Sequence, residues 1–298
     1  LITQDGQPVF DLLATSSGSS RLGFAHPLTN PKTVTQYSVN KYRLYADQIT
    51  GIDPDGADCS TVLQTLVSEM LAAGYQELVF GSGTYTFANV NVPSKIQIIA
   101  QGQNTRFLKP SGASSGSHFF RFNGTVGTAS ALTADSSAFA LTATVANGAL
   151  FTTGDYILIR SNQYVSGTAG RKQQILRIID KATNVLTFAE PLLEDYTTAA
   201  SSEVCVLTPV VGAALHNVAL EGLNVTNKGG LIKALYAVDL MLDEVHGQYF
   251  SDQAAFSFGT CLHSTMQFCS AKDGVNMSTS GYGYGLVFDE ATAFSKVI

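Results

Sequence analysis

Charge is sparse in this chain. Charged residues make up 13% of its 298 residues, with 17 Lys and Arg against 23 Asp and Glu. The formal net charge is −6, and no cationic cluster is denser than Arg171-Lys172. This excludes an electrostatic nucleic-acid partner, which needs a surplus of Lys and Arg on one face. A neutral or mildly acidic surface suits a sugar ligand, for which hydrogen bonds and aromatic faces count for more than charge. Cysteine is sparse too: Cys59, Cys205, Cys261 and Cys269 have no CxxC spacing and no companion His pair. Zinc spacing is therefore absent, and buried free thiols are the ordinary reading. The sequence asks for no metal and no cofactor. No apolar run approaches the roughly 20 residues that a membrane span needs, so no membrane insertion is expected. Leu1 opens a polar stretch in place of a basic segment and apolar core, so no signal peptide is read. With no initiating Met, and with Ile298 just after an apolar-patterned segment, the chain is expected to be a portion of a longer protein.

What is abundant is small and apolar. Hydrophobic residues make up 45%, accompanied by many Gly, Ser, Thr and Ala, a composition suited to tightly wound β-structure. Residues 1–50, with Ser- and Gly-rich stretches and Pro27 and Pro31, read as a neck or linker. The cluster Asp53-Pro-Asp-Gly-Ala-Asp58 is a turn, followed by Ser60 as a helix N-cap. Leu63, Leu66, Val67, Met70 and Leu71 recur at helical spacing and predict a helix over 61–73, stopped by Gly74. Short strands are expected at 78–80, 90–92, 96–99, 106–108 and 119–122, so that 51–127 reads as a helix-capped start of a coiled β-stack. The helix would cover the first coil, which has no neighbour.

Residues 128–209 break this rhythm. The alternation in 139–145, the run Tyr156-Ile-Leu-Ile159, and 174–179 answered by 185–188 across a turn predict a small antiparallel barrel or sandwich inserted between coils. From 210 to 298, strand-like pieces return at 217–225, 237–242, 260–268 and 285–288. Leu220, Leu240 and Leu262 mark a period near 20, as in a solenoid whose rungs share one core.

Two stretches resemble a known family. Leu13-Ala-Thr-Ser-Ser-Gly-Ser-Ser-Arg-Leu-Gly-Phe24 resembles the neck by which bacteriophage tailspikes join a particle-binding head to a β-helix. Asp53-Pro-Asp-Gly-Ala-Asp-Cys-Ser-Thr61, the following helix and Gly83-Thr-Tyr85 resemble the β-helix start shared by tailspikes and pectate-lyase-like enzymes. The chain departs from that pattern, with Ile52-Asp-Pro in the loop and Phe80-Gly-Ser where the family has a proline. The resemblance implies an all-β protein: a right-handed parallel β-helix with an N-terminal capping helix and an inserted antiparallel domain. It also implies a homotrimer in the virion tail, docked to tail or baseplate proteins through its N-terminal side and assembled in the host cytoplasm. Its partner would be a bacterial surface polysaccharide, capsule or O-antigen, which it would recognise and depolymerise as a glycoside hydrolase or lyase. A secreted lyase or epimerase of the same fold, and a non-enzymatic receptor-binding or adaptor tail protein, are the rivals, because the motif identifies a fold more than a reaction.

Glycosidic hydrolysis needs two carboxylates about 5–9.5 Å apart. A lyase needs a base and a group that neutralises a uronate. Asp252 and Asp273 lie one rung apart by the leucine register, which would stack them about 4.8 Å apart on one face. Asp-Gly is also an ordinary turn, and a solvated turn is the competing reading. Asp243 and Glu244, with His246, form a second candidate; adjacent acids on a strand point to opposite faces, so one acid at most joins a site. Asp289-Glu290 reads the same way. Tyr249, Tyr282 and Tyr284 are candidate sugar platforms, with Phe250 equally suited to the core, and His246 is a further binding candidate. Gly281-Tyr-Gly-Tyr-Gly285 is read as a turn, since no Lys-Ser/Thr follows and no helix opens. His26, His118, His216 and His263 show no partner pattern in the sequence.

Overall fold

A computed structural model describes residues 43–114, 116–165, 170–223, 229–251, 254–274, 284–289 and 295–297. Among the described residues the protein is all-β but for one α-helix, Ser60–Glu69, and three short 3-10 turns. Seven strands form the spine of a long, wholly parallel sheet. In spatial order they are Arg43–Tyr45, Glu77–Val79, Gln97–Leu108, Ala214–Glu221, Met241–Gln248, Thr265–Gln267 and Lys296–Val297. Gly83–Thr86 and Ser270–Lys272 pair into the same sheet. A second parallel sheet holds Val90–Asn91, Phe120–Asn123, Ile232–Leu235, Ala254–Gly259 and Tyr284–Asp289. A third pairs Val210–Val211 with Ala237–Val238, which bridges on to Leu262. The chain visits the three sheets in turn and returns, so each circuit stacks on the one before.

The circuits share one interior, filled from alternate strand positions. Phe107, Leu220, Leu215, Leu242, Phe122, Ala234 and Phe258 are all at most 2% exposed. Near the first circuits the filling is aromatic. Phe80 meets Phe107 at 4.7 Å and Tyr85 at 4.9 Å, and Phe87 meets Phe107 at 5.0 Å and Phe120 at 5.2 Å between ring centroids. Each such ring contributes about 1.5–3 kcal/mol by burial, with edge-to-face contacts adding to it.

The helix closes this interior at one end with Leu63, Leu66, Val67 and Met70, all fully buried. It also satisfies an open strand edge. The Gln64 side-chain oxygen accepts from the Asn91 backbone N–H at 2.7 Å, and its nitrogen donates to the Asn91 carbonyl at 3.3 Å. A side-chain amide thus stands in for a missing neighbouring strand at Val90–Asn91. The expected Ser60 N-cap is corrected: Ser60 is the first helical residue and Cys59 holds the cap position. Asp58 accepts from the Ser60 N–H at 2.9 Å and from the Ser60 hydroxyl, whose oxygen accepts in turn from the Ala88 N–H.

Three other expectations are corrected. The leucine register does not hold. Leu220 pairs with Phe107 and Gly247, whereas Leu262 bridges Val238 in a different sheet. The long-sheet partners His216 and Asp243 are 27 residues apart, and Asp243 and Gln267 are 24 apart. Corner lengths differ between circuits, so identical residue types drift from one sheet to another. The expected strands 237–242 and 260–268 each break at a corner into pieces on separate sheets. Part of the expected linker is also structured, since Arg43–Tyr45 already pairs in the long sheet. The rest of the neck stretch lies outside the described residues.

Between Asn123 and Val210 the chain leaves the stack to form a six-stranded antiparallel sheet. Its order is Thr125–Ala131, Glu203–Thr208, Tyr156–Tyr164, Arg171–Ala182, Val185–Phe188, Thr142–Thr144. The two outer strands meet through the Leu132–Val145 bridge, which closes the sheet into a small barrel. Phe151, Ile157, Ile159, Leu176, Phe188 and Tyr196 fill it. Ile157, Leu158 and Ile159 are consecutive and all fully buried, because the outer face is covered as well. There Leu158, Ile175, Cys205 and Leu207 pack against Val238 and Leu262 of the coils. Gln173 donates to the Thr260 hydroxyl across the same seam at 2.7 Å.

Candidate functional site

The long sheet has an outward face, and one part of it is concave. A groove of about 540 Å³ is lined by Gln103, Arg106, Ala219, Leu220, Glu221, His246, Gly247, Gln248, Ser270 and Lys272. Strand register explains the set. Arg106, Ala219, His246 and Ser270 stand in one row across four strands, and Leu108, Glu221, Gln248 and Lys272 in another two residues on. The row between them, Phe107, Leu220, Gly247 and Ala271, turns inward.

Just before these rows every strand kinks at the same level. Asn217, Glu244 and Phe268 have φ values of 57°, 52° and 52°, and Gly102 has 60°. A Cβ at Gly102 would come within 2.7 Å of Asn217 Oδ1, so glycine lets the two coils approach there. The kink also corrects the expectation that Asp243 and Glu244 face opposite ways. The left-handed residue interrupts the alternation, leaving Asp243 half-buried and Glu244 exposed, with Val245 inward.

The groove's chemistry is mixed. Arg106 pairs with Glu221, His246 Nδ1 is hydrogen-bonded to Ser270 Oγ at 2.9 Å, and Lys272 and Gln248 close the second row. Beyond the kink, His216 Nδ1 lies 3.4 Å from Asp243 Oδ2, whose other oxygen accepts from Gln267 at 3.0 Å. Among the described residues no group of three or more His, Cys, Asp and Glu side chains is arranged to hold a metal ion. All four cysteines are free. Burial pushes the Cys59 and Cys261 thiols up to about 12, so neither is a thiolate nucleophile at neutral pH.

Of the residues singled out in the sequence, His246 lines the groove. Asp243 is on the same strand before the kink, and Glu244 occupies the kink. Asp273 is exposed, with φ 57°, immediately after Lys272. The 24-residue step puts it opposite the end of the Met241–Gln248 strand, beside Tyr249. Tyr249 is half-buried at the corner that follows Gln248. Tyr284 is 51% exposed but belongs to the second sheet, away from the groove. Asp252, Tyr282 and Glu290 lie outside the described residues. Arg106, Glu221, Gln103, Gln248, Ser270 and Lys272 were not singled out. They are ordinary polar positions within strands, and only the register between distant strands gathers them.

The geometry defines a class: an all-β protein of stacked parallel coils, an inserted barrel, and a polar groove on the outer face of the coils. Comparisons with known proteins agree. Residues 128–208 match the family model described as K1 capsule-specific polysaccharide lyase, Rider domain. Among the solved structures similar in fold are three phage tailspikes. The tailspike protein gp49 from Pseudomonas phage LKA1 matches with a TM-score of 0.63 at 18% identity, covering 77% of this chain and 37% of that one. The Pseudomonas phage phi297 tailspike gp61 matches at 0.56 and 10% identity, covering 76% and 37%. The gp54 tailspike of Acinetobacter baumannii bacteriophage AP22, solved in complex with A. baumannii capsular saccharide, matches at 0.55 and 13% identity, covering 81% and 43%. In fold, the chain is similar to these tailspike proteins. It spans about two fifths of the length of the tailspikes it matches. No curated protein matches it.

Proposed function

We propose that the chain is part of a phage tailspike that recognises a bacterial surface polysaccharide and depolymerises it by cleaving glycosidic bonds. The observation that carries this is the groove itself. It is an open polar trough crossing four parallel strands, lined by Arg106, Glu221, His246, Gln248, Ser270 and Lys272, on a fold shared with a tailspike solved with capsular saccharide. A trough open at the surface suits a long polymer, and hydrogen-bonding side chains in two rows suit repeating hydroxyls.

The wider assembly belongs to the same proposal. The parallel circuits would be a right-handed β-helix. The chain would divide into a neck to residue 50, a helix-capped start over 51–127, the inserted domain over 128–209 and further coils over 210–298. Three copies would stand together in the virion tail, attached through the N-terminal side. Four free cysteines fit assembly in a reducing host cytoplasm. Asp243, Glu244, Asp273 and Tyr249, on or next to the strands that line the groove, enter the proposal as candidate site residues, as do Asp252, Tyr282 and Tyr284.

The test is incubation of the full-length protein with purified host capsule and O-antigen, followed by mass spectrometry. Oligosaccharides of whole repeating units are expected. Binding without fragments would leave a receptor-binding protein and remove the enzyme.

A further inference from the structure

The groove's side chains bear on which bond-breaking chemistry it supports. Hydrolysis by paired carboxylates needs two acids about 5–9.5 Å apart. The described groove holds a single carboxylate, Glu221, and Arg106 already engages it. The remaining ionisable groups are His246 and Lys272. They are diagonal neighbours on adjacent strands, since His246 pairs with Ser270 and Gln248 with Lys272. Such positions have Cβ atoms about 7–8 Å apart or less, within reach of one sugar ring for side chains of this length. His246 is exposed and its Nδ1 is tied to Ser270.

We infer that His246 is the base of a β-elimination on a uronate-bearing polysaccharide, with Lys272 holding the uronate carboxylate and Ser270 positioning the imidazole. This rests on the groove being the polysaccharide site. With Nδ1–H donating to the Ser270 hydroxyl, Nε2 carries the lone pair that faces the sugar. Lys272 pairs with the C6 carboxylate and stabilises the charge that develops as C5 loses its proton. His246 Nε2 takes that proton, the C5–H electron pair becomes the C4=C5 double bond, and the C4–O4 bond breaks. The imidazolium then returns the proton to the departing O4. No outside reactant is consumed. The charged groups on the neighbouring strands are Arg106, Glu221 and Lys272, and those on the strand of His246 are Asp243 and Glu244.

The experiment uses the full-length protein and a panel of purified capsular polysaccharides with and without uronic acids, each also in carboxyl-reduced form. Cleavage of a uronate polymer with new ultraviolet absorbance from unsaturated ends is expected, and it should disappear on carboxyl reduction. His246→Gln should lower kcat by about 10²–10⁴-fold while polymer binding persists. If that variant folds poorly by thermal unfolding, His246→Asn replaces it. Lys272→Ala should raise KM and lower kcat, whereas Lys272→Arg should restore part of both. Ser270→Ala should lower kcat with KM unchanged, and Ser270→Thr should rescue it. Cleavage that leaves saturated ends, or a His246 variant within about threefold of wild type, overturns this inference and leaves the proposed function standing. No cleavage anywhere in the panel overturns both.

Discussion

Arg106 and Glu221 pair their side chains although 115 residues separate them in sequence. The whole antiparallel barrel lies between them. They meet because the coil resumes after the barrel one strand further along the long sheet, with Leu108 opposite Glu221 and Gln97 opposite Ala214. The barrel is therefore an excursion from one circuit, and the groove is built from coils on either side of it in sequence.

That pair should matter for binding more than for folding. Arg106 is 54% exposed at its side chain, so solvent screens the interaction and its loss should cost at most about 1 kcal/mol. Arg106→Ala is expected to leave the unfolding midpoint nearly unchanged and to weaken polysaccharide affinity by about tenfold, the equivalent of about 1.4 kcal/mol. Glu221→Gln, which releases Arg106, should tighten binding of an anionic polymer and steepen its salt dependence. Isothermal titration at two salt concentrations reads both effects, and unchanged affinity in both variants would remove the pair from the site.

The point where the chain leaves for the barrel is sterically closed. A Cβ on Gly124 would lie 2.6 Å from the Tyr236 carbonyl oxygen and 2.9 Å from both Pro209 Cα and the Thr208 carbonyl oxygen. These are backbone atoms of the returning chain and the next coil, and they cannot step aside as a side chain can. Gly124→Ala should therefore destabilise by about 1–3 kcal/mol, the usual cost of overpacking. A denaturant midpoint equal to wild type would mean that the junction is looser than described.

Lys109 is 1% exposed, and its ammonium donates to the carbonyls of Ser117 at 3.0 Å and Gly230 at 2.8 Å while lying 5.4 Å from the Phe119 ring centre. It ties the corners of two successive circuits together from inside. Lys109→Met keeps the apolar stem but strands those carbonyls, each loss costing about 1–3 kcal/mol. A destabilisation of about 2–4 kcal/mol is expected from urea unfolding, and a gain in stability would show that the buried charge is a net burden.

Stability should fall in alkali. Burial holds the Cys59 and Cys261 thiols and the Tyr85 phenol at about 12, whereas the unfolded chain releases these protons near 9 for a thiol and 10 for a phenol. Between those limits the folded state binds more protons than the unfolded one, so rising pH favours unfolding. The contribution is full below pH 9 and disappears as pH climbs toward 12. Unfolding midpoints at pH 8, 10 and 11 should decline in that order, and the thiols should stay unreactive toward disulfide reagents until the protein unfolds. A flat midpoint would contradict the burial.

Much of the fold was legible in the residues themselves. The helix face of Leu63, Leu66, Val67 and Met70, the Gly74 stop at φ +86°, and the strand Val185–Phe188 follow from local periodicity and turn chemistry. Such signals need only near neighbours in the chain. The low charge, the free thiols and the antiparallel alternation after residue 128 are equally local. The groove was not legible. Arg106, Glu221, His246 and Lys272 come from four separate strands, and a strand does not reveal which residue of another strand it will face. Corner lengths that vary between circuits, and a left-handed kink repeated at Asn217, Glu244 and Phe268, decided that register. The sequence alone therefore determined what kind of elements form and where the chain turns. Only the stacking of coils, set by packing in a shared interior, decided which polar side chains meet on the outside.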